Sequence, residues 1–242
     1  ADMVVGMSEL HLEHNDLLTA NRLLLKSKEQ GEHTGFPQCP YRWRVALARL
    51  KLAEGDPDAA LDLLQAAEQH YVSDFHPNVQ SIAAWKARVW VRQGRLDEAT
   101  RWARQQGLGV DDDLTFLREF EHLTLARVLL ARTLAGTPDH AREKTVAFLE
   151  RLRQAAEAGG RTGRVIETLL LEALAWQAQG DTPAALERLA RCLPLAEPQG
   201  YIRIFADEGA AMAQLLRSAA ARGVGPAPYV GKLLAAAGAA PA

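Results

Sequence analysis

Three arginines follow directly after a small residue in successive copies of a repeated pattern: Arg49, Arg88 and Arg127. The same position is Glu9 in the first copy and Leu174 in the last. A guanidinium group presents a planar fork of donors, so a row of them suits a carboxylate, a phosphate or an acidic peptide. Helical spacing adds three side chains on the same face, three or seven residues earlier: Arg42, Trp85 and Phe120. These six are the candidate ligand-binding residues. The alternative is that the arginines pair with acidic residues of neighbouring helices or face water.

Other groups of reactive side chains predict no chemistry of their own. His11 and His14 lie three residues apart, but a solvated helix end explains them better than a metal site does. The consecutive carboxylates at 111–113 lack the alternating geometry of a calcium loop, so we expect them to cap the next helix. The sequence contains neither a nucleophile elbow nor a Gly-x-x-x-x-Gly-Lys-Ser/Thr phosphate loop. We therefore expect no enzyme activity, no metal and no cofactor in this fragment.

The elements that carry these residues come from an internal repeat. Five turn residues are spaced by 40, 39, 42 and 44 positions, which predicts a stacked array: Asn15, Gly55, Gly94, Gly136 and Gly180. An alanine stands five residues after each turn: Ala20, Ala60, Ala99, Ala141 and Ala185. No stretch alternates with period two for a full strand, so the fold class is all-α. Residues 31–40 contain two glycines and two prolines and are predicted to be a loop.

A second small residue stands seven positions before most of the turns: Ser8, Ala48, Ala87 and Ala173, with Ala126 ten before the fourth turn. A small residue in each helix lets two helices of a hairpin approach closely. This spacing resembles the tetratricopeptide repeat, although the period alone would also fit HEAT repeats. The resemblance implies a right-handed superhelical array of antiparallel helix hairpins over residues 1–196, with about five repeats. It also implies that the position of Arg49, Arg88 and Arg127 lines the concave groove.

The last part of the chain, residues 197–242, does not follow the repeat. It resembles the end of the repeat domain in MalT-like, LuxR-type ATP-binding large regulators, which carry Gly-Tyr-x-Arg-x-Phe-x-Asp-Glu-Gly and then Met-x-x-Leu-Leu. The matching residues are Gly200, Tyr201, Arg203, Phe205, Asp207, Glu208, Gly209, Met212, Leu215 and Leu216. We expect Tyr201, Arg203 and Phe205 to form a short extended segment that caps the last repeat. The remainder is expected to lead toward a DNA-binding domain that is absent here.

The resemblance implies a sensor or interaction domain of a cytoplasmic transcriptional regulator. Its expected partner is an inducer small molecule or a partner protein, and it would contact DNA only through an absent domain. The net charge of −2 offers no bulk attraction to nucleic acid. No segment is long and apolar enough to predict a membrane span, and the distant Cys39 and Cys192 favour a reducing compartment. Self-association is possible. The alternative function is a generic tetratricopeptide scaffold that binds peptide segments of partner proteins.

Overall fold

A computed structural model describes residues 2–34, 37–72, 78–136 and 139–239 of the chain. In these residues the regular structure is helical, with no strand, which confirms the all-α fold class. Ten helices form five consecutive hairpins: α1 (Asp2–Glu13), α2 (Leu17–Thr34), α3 (Cys39–Ala53), α4 (Pro57–Gln69), α5 (Ile82–Arg92), α6 (Leu96–Gln105), α7 (Glu119–Leu134), α8 (Asp139–Ala158), α9 (Thr162–Ala178) and α10 (Thr182–Ala196). Three more follow: α11 (Arg203–Ala206), α12 (Gly209–Arg222) and α13 (Ala227–Ala239).

The turn inside each hairpin works as the sequence predicts. Gly55 has φ 85° and Gly94 has φ 71°, a left-handed conformation that ends the first helix. Asn15 is in the same conformation at φ 62°, which asparagine tolerates better than other residues with a Cβ. In the second hairpin, α4 then starts on a side-chain cap, since Asp56 accepts from the Ala59 backbone N–H at 3.0 Å.

The small residues lie where the two helices of a hairpin meet. Ala48, Ala87, Ala126 and Ala173 are at most 1% exposed, and so are Ala20, Ala60, Ala99 and Ala185. The side chain of Ala141 lies outside the described residues. Each repeat also packs on the one before it, as in the cluster of Leu50 with Leu24 and Ala20. The described residues thus form the predicted tetratricopeptide-like array of helix hairpins, and its right-handedness stays a prediction.

Two local predictions need correction. The loop predicted over residues 31–40 is shorter, because α2 continues to Thr34 and α3 already begins at Cys39. A glycine inside a helix costs only about 1 kcal/mol, so Gly31 did not end α2. Of the predicted loop, Gly35 and Phe36 lie outside the described residues. The acidic stretch 111–113 does not cap α7: the Asp112 carboxylate accepts from the Gly109 N–H at 3.0 Å and contacts His122 Nε2 at 3.1 Å.

The C-terminal helices share one core with the last repeats. Phe205, Met212 and Leu216 are fully buried in the same cluster as Leu189 and Leu193 of α10. The Tyr229 hydroxyl donates to the backbone carbonyl of Tyr201. The C-terminal block therefore covers an apolar face that an array would otherwise leave open. The domain division at residue 196 stays a prediction.

Candidate ligand-binding groove

The six candidate residues lie on three neighbouring first helices. Arg42 and Arg49 belong to α3, Trp85 and Arg88 to α5, and Phe120 and Arg127 to α7. Their side chains interleave: the Arg49 guanidinium carbon lies 5.0 Å from the Trp85 ring centre, and that of Arg88 lies 5.4 Å from it.

Phe120 is buried under this row of side chains and is not exposed to the groove. It is 2% exposed, and its ring contacts Arg88, whose guanidinium carbon lies 4.0 Å from the ring centre. Phe120 is predicted from its position seven residues before Arg127, and in the structure its ring also packs against Arg88 of the preceding repeat. Arg42 lies at the other end, where it pairs with Asp2 at 3.6 Å.

Acidic residues of neighbouring helices pair with the arginine row, which is the alternative that the sequence left open. Arg49 donates to Glu9 of α1 at 2.6 Å. Arg88 and Arg127 both contact one carboxylate oxygen of Glu167 on α9, at 2.9 Å and 3.1 Å. The arginines thus form a row as predicted, but each already has a carboxylate partner. Their role as a surface for an external ligand stays a prediction.

Glu167 is the centre of this network, although it is not among the residues predicted from the sequence. It is 3% exposed, and Arg164 contacts its second carboxylate oxygen at 3.0 Å. Burial alone would raise the pKa of Glu167, but the charges of Arg88, Arg127 and Arg164 hold that pKa well below its usual range. A usable signal existed: Glu167 stands seven residues before Leu174, the step that selected Arg42 and Phe120.

Burial affects the arginines unequally. It lowers the pKa of Arg88 to about 9, because desolvation there outweighs the one neighbouring carboxylate, Glu167, and two further arginines lie close. Burial also opposes the charge of Arg127, but Glu208 and Glu167 together raise the pKa of Arg127 above its usual value. Arg127 therefore has two carboxylate partners, whereas Arg88 has one.

Residues 199–208, here called the closing segment, cross from the last repeat back to the first. The backbone N–H of Ile202 donates to the Glu13 carbonyl at 3.0 Å, and that of Ile204 donates to the Glu13 carboxylate at 2.9 Å. Arg203 donates to the Asn15 side-chain oxygen at 3.2 Å. The array is therefore closed by contacts between its two ends.

Two carboxylates of the closing segment also bind inside the array. Asp207 pairs with Arg92 of α5 at 3.3 Å, and Glu208 pairs with Arg127 of α7. The segment is one helical turn from Arg203 to Ala206, which corrects the extended conformation expected from alternation. The turn forms because the Ile202 carbonyl accepts from the N–H groups of Phe205 and Ala206, both at 3.1 Å.

Burial under the closing segment changes the titration of Glu13. Desolvation raises the pKa of Glu13 to about 7, although the hydrogen bond from Ile204 and the charge of Arg49 act in the opposite direction. This carboxyl group therefore changes its protonation near neutral pH at the junction of the two ends.

Two open clefts lie beside the arginine row. One has a volume of about 430 Å³ and is lined by residues that include Tyr41, Arg42, Arg49 and Trp85. The other has a volume of about 320 Å³ and lies between α7, α9 and α12, with Arg127 and Glu208 in its wall. Both volumes are at the lower end of the range for small-molecule sites.

Within the described ranges, no group of three or more His, Cys, Asp and Glu side chains could hold a metal ion. His11 instead contacts Asp16 at 3.2 Å, and His14 contacts the Gln199 carbonyl at 3.2 Å. A search of the same residues finds no helix that is long and apolar enough to cross a membrane.

Comparison with known proteins agrees with this architecture. A family model described as the MalT-like TPR region matches residues 1–222. The chain belongs to this family. Two relatives named HTH-type transcriptional regulator MalT, from two strains of Klebsiella pneumoniae (342 and ATCC 700721 / MGH 78578), are 30% and 29% identical over 192 residues. The aligned region covers 75% of this chain and 19% of each relative. The resemblance drawn from the repeats and from residues 200–216 is thus confirmed.

Proposed function

We propose that this MalT-like TPR region is the sensor domain of a cytoplasmic transcriptional regulator, and that it binds an inducer or a partner protein in its concave groove. The names of the two relatives, both HTH-type transcriptional regulators, support the regulator role. The domain acts by binding and not by catalysis, and it uses no cofactor of its own. NTPase and DNA-binding modules outside this chain carry the remaining activities, so contact with DNA is indirect.

The observation that carries this proposal is the closing segment. It contacts the first repeat through Glu13 and Asn15 and the fourth through Arg127. Occupation of the groove and the position of this segment are thereby linked, because Arg127 belongs to the groove and also holds the segment. A ligand that binds one arrangement better shifts the population toward it, and the shift reaches whatever follows α13 in the longer protein.

Self-association is a separate proposal. The first hairpin exposes Met3 at 83%, Leu10 at 63% and Leu18 at 74%. Exposed apolar side chains that form a contiguous patch mark protein–protein interaction sites.

The test uses the full reading frame that contains this chain. A helix-turn-helix module in the same polypeptide is expected, and the DNA it prefers can be selected from random oligonucleotides. Asn15→Gly removes the acceptor of Arg203 at the closure and keeps the left-handed turn. We expect it to change the DNA affinity of the longer protein at least about threefold, roughly 0.7 kcal/mol. The matched control is Asn15→Asp, which keeps an oxygen acceptor for Arg203 at the same turn.

Two results would contradict the proposal. A reading frame without any DNA-binding module would favour the scaffold function. Equal DNA affinities for the wild type, Asn15→Gly and Asn15→Asp would show that the closure is not connected to DNA binding.

A further inference from the structure

The cleft between α7, α9 and α12 combines an apolar wall with one charged end. Its apolar lining comes from α5, α7, α9 and α12: Val91, Leu130, Leu134, Leu171, Leu174 and Ala211. Arg127 and Glu208 supply the charged end, and the lining also includes Gln177 and Gln214. Leu134 at its edge is 58% exposed and faces solvent, whereas Leu130, Leu171 and Leu174 are at most 6% exposed and form the floor of the cleft.

The charged end belongs to a cluster with more cations than anions. Ion pairs among the described residues join four arginines to three glutamates: Arg88, Arg127, Arg161 and Arg164 with Glu119, Glu167 and Glu208. The cluster therefore carries one surplus positive charge, and it would carry two without Glu208. Arg88 also has a buried Nη2 group with no hydrogen-bond partner in the described part of the chain.

Glu208 differs from the other two glutamates in its origin. Glu119 and Glu167 lie inside the repeat helices α7 and α9, whereas Glu208 belongs to the closing segment that joins the two ends of the array. Its carboxylate occupies the position on Arg127 that an external carboxylate would take. An arginine fork binds any carboxylate of suitable geometry.

We propose that this cleft is a binding site for a small amphiphilic carboxylate. The apolar body of the ligand lies against the exposed side chain of Leu134, above the buried floor of the cleft. Its carboxylate replaces Glu208 on Arg127. The exchange conserves the charge of the cluster while it frees the closing segment from α7. This inference rests on the proposed function, since it names the chemical class of the inducer and the contact that the inducer breaks.

The test measures binding of decanoate to the purified 242-residue chain by calorimetry. Decanol has the same apolar body without the charge, and acetate has the charge without the body, so we expect both to bind at least about tenfold more weakly. Glu208→Gln removes the charge of the internal competitor, and decanoate should bind this variant at least about threefold more tightly. Glu187→Gln is the matched control: Glu187 is 68% exposed and pairs with Arg188 outside the cleft, and its affinity should equal that of the wild type.

Two further variants separate the apolar and charged ends. Ala211→Phe fills the cleft without changing a charge and should abolish binding. Arg127→Gln should weaken it at least about tenfold, with circular dichroism as the check that the helices remain. If Arg127→Gln does not fold, Glu208→Gln and Ala211→Phe still decide the question.

Hydrogen exchange follows the closing segment. Saturating decanoate should accelerate exchange of the Ile202 and Ile204 amides, which donate to Glu13. Equal binding of decanol and decanoate, unchanged affinity in Glu208→Gln, or unchanged exchange at these amides would each overturn the proposal. Failure of this site and failure of the regulator role are distinguishable. If the chain binds decanoate as described but the longer protein binds no DNA, the site is supported and the regulator role is contradicted.

Discussion

Replacement of Glu167 by glutamine tests how much the groove depends on one buried carboxylate. The change preserves the side-chain volume and removes one negative charge from the contacts at 2.9 Å to Arg88, 3.1 Å to Arg127 and 3.0 Å to Arg164. Removal of one partner from a buried ion pair costs about 3–5 kcal/mol, since the remaining charge stays desolvated. With a urea slope of about 2 kcal/mol/M, a loss of about 4 kcal/mol lowers the unfolding midpoint by roughly 2 M.

The assay is urea unfolding at pH 7, followed by circular dichroism. Glu187→Gln is the control, because the same chemical change at an exposed pair should cost about 1 kcal/mol or less. The depressed pKa of Glu167 also determines how its contribution to stability changes with pH. Since the folded pKa of Glu167 is depressed, its contribution is present above the unfolded pKa and is lost as pH falls toward the folded pKa. A loss below about 1 kcal/mol in Glu167→Gln, equal to that of the control, would refute the account of Glu167 as the buried counter-charge of the arginine row.

Two other predictions concern the closure and the turns. The pKa of Glu13 is raised from 4.5 to about 7 in the folded chain, so the folded state holds the proton more tightly and the protein loses stability as pH rises through that window. This loss is about 3 kcal/mol of unfolding free energy between pH 4.5 and 8, and Glu13→Gln should abolish it. Urea unfolding at both pH values measures the difference. If the unfolding free energy of the variant falls as steeply with pH, the titration belongs to another group. Gly94→Ala should cost about 1–2 kcal/mol, because Gly94 has φ +71°. Gly6→Ala, inside α1 with open space around the added Cβ, should instead raise the free energy of unfolding by about 0.5–1 kcal/mol. Thermal unfolding measures both variants. Equal losses of stability at the two sites would show that crowding, and not backbone conformation, decides the effect.

The sequence predicts the repeat well because each contact that defines it is local. Gly55 and Gly94 end the helix that directly precedes them by adopting a left-handed conformation, so no distant contact is required. Asp56 caps the next helix through a backbone N–H three residues away. The row formed by Arg49, Arg88 and Arg127 is also predictable, since neighbouring repeats place equivalent positions side by side.

The partners of that row were less accessible to sequence reasoning. A single sequence shows that a helix face carries an arginine but does not show which carboxylate of the next helix reaches it. Glu167 lies on the face that the seven-residue step defines, and application of that step to Leu174 would have placed it there. The position of Phe120 under Arg88 depends on the angle between α5 and α7, which no spacing within one helix determines.

The sequence by itself thus determined an all-α repeat array, its turn chemistry and its family, because these depend on contacts between residues that are close along the chain or one repeat apart. Only the tertiary structure decided that the ends meet, where the Ile204 N–H donates to the Glu13 carboxylate. It also decided that Arg127 of the fourth repeat donates to Glu208. The physical reason is that each repeat is rotated slightly relative to the one before it, and these rotations add up over five hairpins. Together they bring residues 199–208 against the first repeat. The array is thereby closed, and the Glu208 carboxylate lies in its groove.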